Sequence, residues 1–247
     1  MTAADGQGER DGIAVFGEAA RDAQRAATTE LMARLPDEAL AQGAAMIAHH
    51  LLEDLLDEVA EHEPEPMKTA CTEGCAWCCY LGYASISVPE AVAIADHLRD
   101  DLDEEMRTRI EARVDASIEA AEGLGPEARW RAREPCAFLD VDRGRCRVYE
   151  VRPLRCRGWN SLDADACEQS YRRRDDAVDV PSNRLRFVLG ANTEEGQALA
   201  FGDTGRDARR GEMAQAVRLA LDEPELAARW GRGEAVFDGI LTDDDLV

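Results

Sequence analysis

Residues 71–79 read Cys-Thr-Glu-Gly-Cys-Ala-Trp-Cys-Cys, four thiols within nine residues. A solvated loop gains nothing from thiols at this density, whereas thiolates three or four residues apart on a turning backbone can converge on one metal ion or iron-sulfur cluster. Gly74, between the first two, can supply the positive φ that a tight ligand turn requires. Cys78 and Cys79 are adjacent, and neighbouring side chains diverge in helix and strand alike, so the two do not readily bind one ion. Either the pair serves two metals or one of them is a buried spectator. The stretch is half of a metal site, and the chain must fold so as to bring the other half to it.

Four further cysteines, Cys136, Cys146, Cys156 and Cys167, are spaced by ten, ten and eleven residues, with Gly144, Pro153 and Gly158 as turn formers among them. The sequence predicts short strands or irregular loops over residues 134–167. Six arginines lie between Arg143 and Arg157 against one acid, Glu150, in an acidic chain. A tetrathiolate around Zn(II), or a four-thiolate cluster with a 2+ core, carries a formal charge of about -2, which guanidinium groups nearby would neutralise. Arg152 and Arg157 are assigned to the site on this ground. Arg143, Arg145 and Arg155 suit surface pairing with acidic helices equally well.

Composition limits the alternatives. With 29 basic and 51 acidic residues the net charge is -22, which argues against a nucleic-acid binder or an anionic-membrane binder. No segment approaches a membrane-spanning apolar run, and the first residues lack a basic stretch followed by an apolar one. A cytoplasmic location is therefore expected. Eight cysteines in 247 residues could form disulfides, but in a reducing compartment metal ligation is the better account.

Outward from the cysteines the sequence is helical. Residues 1–16 are expected to form a flexible tail, because the first dozen hold almost nothing apolar. Residues 17–66 are expected to form an N-terminal helical extension, split at Pro36, with Leu31, Leu35, Leu40, Ala44, Ile47, Leu51, Leu55 and Val59 as its apolar stripe. His49 and His50 within it are expected to be packed or surface residues. Ser87, Pro89 and Glu90 form a capping box that should start a helix running to about Leu98. A second helix, Asp103 to Ala121, carries Met106, Ile110, Val114 and Ile118 at steps of four. Arg184 to Leu189 is expected to be a short strand, Thr204 to Leu221 and Pro224 to Trp230 helices, and Asp243 to Asp245 part of a solvated acidic tail.

The joint pattern Cys71-x3-Cys75-x2-Cys78-Cys79, then Cys136, Cys146-x2-Tyr149-x2-Arg152-Pro153-x2-Cys156-Arg157, resembles the YkgJ-type cysteine-cluster family, whose members are described as zinc- or iron-chelating. The resemblance covers about residues 68–160. It implies metal chelation by the shared cysteines, with Tyr149, Arg152, Pro153 and Arg157 as signature positions. A similar cysteine domain occurs in flagellin lysine N-methylases, which implies an alternative: an iron-sulfur enzyme that uses S-adenosylmethionine, with Tyr149, Arg152 and Arg157 at the cofactor. The strand-helix alternation of a radical S-adenosylmethionine barrel is missing. A third possibility is a zinc-stabilised module whose acidic helices bind a basic protein or peptide.

The fold expected is mainly α, a single domain with an irregular cysteine-rich metal-binding core and few or short strands. The core spans residues 67–174 with a helical insertion over 88–122, and residues 175–247 form a C-terminal helical cover. The expected ligands are Cys71, Cys75, Cys78, Cys136, Cys146 and Cys156, then Cys79 and Cys167. The cofactor is zinc or iron, including a [4Fe-4S] cluster, since thiolates serve them equally well.

Overall fold

The computed structural model describes residues 3–62, 69–72, 74–80, 84–173 and 178–243. Ten helices and two small two-stranded sheets make up the regular structure among the described residues, with 64% of the chain helical. No helix among them is long and apolar enough to cross a membrane.

Helix α1 spans Ala3–Met32 and α2 spans Asp37–His62, with Pro36 in the break between them. Residues 3–16, expected to be a flexible tail, are instead helical. Once a packed segment nucleates a helix, each further residue adds a hydrogen bond at little cost, so the turn propagates into the polar stretch. The buried side of α1 is a narrow row of small or polar residues, Ala20, Gln24 and Thr28, ending at Met32. That row lets α8 (Arg184–Asp203) approach so closely that a methyl group on Gly196 would meet the backbone of Arg21.

In α2 the buried apolar residues are Leu40, Ala41, Ala44, Ala45, Ala48, Leu52 and Leu56. The stripe expected through Leu35, Ile47, Leu51, Leu55 and Val59 is thus rotated by about one residue. Leu35 is exposed. The reason is that α2 is covered from several sides, by α1, α8, α3 (Val88–Asp100) and α10 (Leu226–Gly231), and small alanines admit those neighbours.

The insertion behaves as its sequence dictates. Ser87 caps α3, the Glu90 carboxylate accepts from the Ser87 amide at 2.8 Å, and Pro89 sits in the first turn. Asp103 caps α4 (Glu104–Ala121), whose Ile110 and Val114 are buried, with Met106 and Ile118 packed beside them. Gly123, at φ 69°, ends the turn after it, and α5 (Pro126–Ala132) leads back to the second cysteine segment.

Residues 134–167 are more regular than expected. Leu139–Asp140 (β2) pairs antiparallel with Arg145–Cys146 (β3), but Cys156 and Cys167 lie on short helices, α6 (Leu154–Gly158) and α7 (Ala164–Arg173). Arg184 to Leu189 is the start of α8, not a strand. Asn183 caps it by accepting from the Arg186 amide at 3.0 Å. Its helical period was hidden because the buried face carries Thr193, Glu194 and Gln197 among its apolar residues; Thr193 donates to the Leu189 carbonyl, and Gln197 to that of Ala44.

The helix expected from Thr204 to Leu221 begins only at Met213. Gly205, at φ 72°, turns the chain, Gly211–Glu212 (β4) pairs with Ser85–Ile86 (β1), and α9 (Met213–Asp222) follows. Trp230 of α10 stacks edge-on against Phe201, 4.9 Å between ring centroids, inside the main core with Ile94, Val217 and Phe237. Asp243 accepts from Arg210 rather than standing free in a solvated tail, and residues 244–247 lie outside the described residues.

Because Gly196 abuts backbone that cannot swing away, Gly196→Ala should destabilise the fold by about 1–3 kcal/mol as overpacked sites do. Urea unfolding checks this; an unchanged midpoint would contradict the close α1–α8 packing.

Candidate metal centre

The two cysteine segments meet through backbone. The Cys136 amide donates to the Cys79 carbonyl at 2.7 Å, and Gly144, at φ 64° in the β2–β3 turn, lies so close to Gly74 that a side chain on it would strike the Gly74 carbonyl. The glycines are needed for this approach, since any Cβ at Gly144 would meet both the positive φ and that carbonyl.

Each thiol is held by its own local structure. Ala70 donates to the Ser161 carbonyl at 2.7 Å, and the Ser161 amide in turn lies 3.3 Å from the Cys71 sulfur. Two residues on, Asp163 caps α7 by accepting from the amides of Asp165 and Ala166, and this sets Cys167 in the first turn. Cys78 and Cys79 lie in a 3₁₀ turn, Trp77–Tyr80, and Trp77, Tyr80 and Tyr171 form a ring cluster with centroids 4.9 to 6.3 Å apart. That cluster docks α7 on the turn. Cys146 sits opposite Leu139 in the hairpin. Cys156 lies in α6, whose first amide, Leu154, donates to the buried Glu90 carboxylate at 2.8 Å.

The electrostatics divide the thiols into two groups. Burial pushes Cys75 and Cys167 upward, and the sulfurs of Cys71 and Cys78 reinforce this for both, with Cys167 also adding to Cys75. Burial likewise pushes Cys136 up to about 12, with Cys146 adding to it, and drives Cys156 upward, with Cys136, Cys78 and Cys146 adding to it. Cys146 is raised by burial too, with Arg152 opposing. The Cys78 and Cys79 thiols interact directly, which lowers Cys78 and raises Cys79, and Cys79 is raised further by burial and by Cys136 and Cys146. Cys71, Cys75 and Cys167 thus form one neighbourhood and Cys79, Cys136, Cys146 and Cys156 another, with Cys78 in reach of both.

All eight cysteines are free thiols, with no disulfide between them. Among the described residues, no three Cys, His, Asp or Glu side chains converge tightly enough to hold an ion as they stand. The donor set nevertheless fits a thiophilic metal. Buried thiols resist ionisation without a cation, and a bound cation reverses that preference by stabilising the thiolates.

Of the signature positions, Arg152 stacks its guanidinium over the Tyr149 ring at 4.5 Å and bears electrostatically on Cys78, Cys146 and Cys156. Arg157 is turned elsewhere. It donates to the carbonyls of Arg152 and Glu150, at 3.0 and 2.5 Å, and pairs with Glu53, so that it braces the signature loop against α2. Arg143 and Arg147 face Asp140 of β2, and Arg155 faces the buried Glu194 of α8, so Arg143 and Arg155 pair with acids, though not at the surface of acidic helices as expected. His49 is buried and held neutral, its pKa lowered to about 3 by burial and then by Arg157, and no cysteine contributes.

Several residues of the site carried no recognisable signal. Arg113, on what read as the solvated face of α4, donates to the Cys136 carbonyl at 2.9 Å and to that of Leu139. Arg186 lies in electrostatic reach of Cys71, Tyr149 and Arg152. Ser161 and Tyr171 read as ordinary turn and helix residues. Glu90 was legible as a cap but not as the acceptor that also fixes α6. Glu90→Ala should therefore cost about 2–4 kcal/mol, for a lost cap and an unpaired buried amide, and should speed alkylation of Cys156. Peptide mapping after iodoacetamide treatment checks this; unchanged Cys156 labelling would contradict the link.

Residues 70–183 match the family model CxxCxxCC, described as "Putative zinc- or iron-chelating domain". No curated protein and no solved structure matches the chain. The matched range contains all eight cysteines, though three residues rather than two separate Cys71 from Cys75, with Gly74 at φ 91° in that gap. Across residues 70–183, then, the chain matches the cysteine-cluster family that its thiol spacing resembles, a zinc- or iron-chelating type of domain.

Proposed function

We propose that this protein binds zinc or iron through thiolates drawn from both cysteine segments, in two adjoining groups. One group is Cys71, Cys75 and Cys167; the other is Cys79, Cys136, Cys146 and Cys156; Cys78 completes the first and lies beside the second. The observation that carries this is the backbone junction of Cys136 with Cys79, which makes neighbours of thiols separated by the whole helical insertion. The adjacent pair, Cys78 and Cys79, then has a use, because each thiol can serve its own group.

A bound metal supplies a positive charge that offsets the burial of the thiolates. The chain supplies the rest. The Trp77, Tyr80 and Tyr171 rings hold α7 and its Cys167 to the first segment, Glu90 and Arg113 fix the backbone that carries Cys156 and Cys136, and Arg152 offsets negative charge on the second group.

Two substitutions test the division. Cys75→Ser and Cys156→Ser should each lower the metal bound per chain, measured by elemental analysis, and the double variant should lose more than either alone. Full retention of metal in either single variant would contradict the shared reading. Removal of metal by a chelator should also lower the melting temperature, because an ion bound only by the folded chain stabilises it. An unchanged melting curve after verified metal loss would count against a metal that holds the two segments together.

A further inference from the structure

Away from the thiols, a cleft of about 1060 Å³ opens between the end of α4, α9 and the segment at residues 237–242 that runs back over them. Among the described residues that line it there is no cysteine. Its walls are apolar at Ile118, Leu219, Phe237 and Ile240. Two of its arginines are already matched by acids of the same walls: Arg209 pairs with Asp238 at 2.9 Å, and Arg218 with Asp222 at 2.6 Å. Glu119 and Glu122, which also line it, are exposed.

The third arginine in the lining, Arg129 of α5, is different. It is only 3% exposed. Its Nε donates to the Leu124 carbonyl and its Nη2 to the Ala121 carbonyl, both at 3.2 Å, which seats the guanidinium on the end of α4. Its Nη1 is buried with no hydrogen-bond partner, and among the described residues no carboxylate forms an ion pair with it. The buried Glu212 bears on Arg129 electrostatically but is occupied in capping α9, where it accepts from the Gln215 amide at 2.9 Å. Buried charges are ordinarily paired, and an unpaired charged N–H costs more than a neutral one. In a chain with 51 acids against 29 bases the counter-ion is not withheld for want of carboxylates, and Arg157, also buried, has Glu53.

We propose that this cleft binds a small amphipathic monocarboxylate, whose carboxylate accepts from Nη1 of Arg129 and whose hydrocarbon body lies along Ile118, Leu219, Phe237 and Ile240. A mostly apolar wall with one placed charge is the usual make-up of a small-molecule site, and a guanidinium suits a carboxylate. One unmatched cation calls for one negative charge, and the exposed Glu119 and Glu122 oppose a dianion such as phosphate. Nη1 is covered in the free chain, and a side-chain adjustment of the kind common on binding brings it to the ligand. The site lies outside the metal-binding reading and does not depend on it.

The test is calorimetric titration of the full chain with octanoate and, separately, with octanamide, which has the same shape without the charge. Bound metal is measured on the same samples. Saturable binding of octanoate is expected, at least tenfold tighter than that of octanamide. Arg129→Gln should bring octanoate down to the octanamide level and leave octanamide as it was, while Arg131→Gln, on the exposed face of the same helix, changes neither. Leu219→Glu, which sets a carboxylate in the apolar wall, should abolish binding of both probes; it decides the matter on its own if Arg129→Gln fails to fold. Absence of saturable octanoate binding would overturn the proposal, as would equal affinity for acid and amide. So would a folded Arg129→Gln or Leu219→Glu chain that binds octanoate as the wild type does, or equal weakening by Arg131→Gln, which would mark a diffuse charge effect. A chain that binds octanoate but holds no metal would remove the thiolate reading and leave this one standing.

Discussion

The amide of Cys136 donating to the carbonyl of Cys79 joins two loops that α3, α4 and α5 keep far apart in sequence. Closing so long a loop costs entropy that one hydrogen bond does not recover. The insertion recovers it by burial. Ile94 and Leu98 of α3 and Ile110 and Val114 of α4 are deep in the main core, so the chain leaves the first cysteine segment and returns to the second along a packed path. The Gly74–Gly144 approach and the Arg113 bonds to the Cys136 and Leu139 carbonyls then fix the return. The second cysteine segment joins that core through Phe138 and Val148, whereas the first buries only Ala76 among its described residues and depends on the elements around it.

The local excess of arginine between Arg143 and Arg157 divides into separate tasks. Arg147 closes the β2–β3 hairpin on Asp140, Arg155 reaches Glu194, and Arg157 ties the signature loop to Glu53 of α2. Arg152 is the member of this group that bears on Cys146 and Cys156. A charge inversion in the sequence is thus a sum of unlike structural roles, and counting arginines overstates how many serve the site.

The parts of this fold legible in the sequence were those fixed by local chemistry. The Ser87–Glu90 box, the break at Pro36 and the four-residue stripe of α4 each depend on residues within one or two turns. The start of α8 was misread as a strand because Leu185, Phe187 and Leu189 alternate, while the helix buries Thr193, Glu194 and Gln197 through bonds to carbonyls that no period reveals. The site divides the same way. The cysteines and Arg152 announce themselves by spacing, but Arg113, Ser161, Tyr171 and Arg186 act through contacts made only after folding. Glu90 was half legible, since its cap is local and its bond to Leu154 is not.

The central claim is that the eight free thiols, gathered by that backbone junction, are metal ligands. Determination of zinc, iron and acid-labile sulfide on chain purified without oxygen, together with titration of accessible thiols, tests it most directly. The account predicts stoichiometric zinc or iron and thiols that react fully only after the metal is removed. Finding neither metal in stoichiometric amount, with all eight thiols freely titratable from the start, would contradict it.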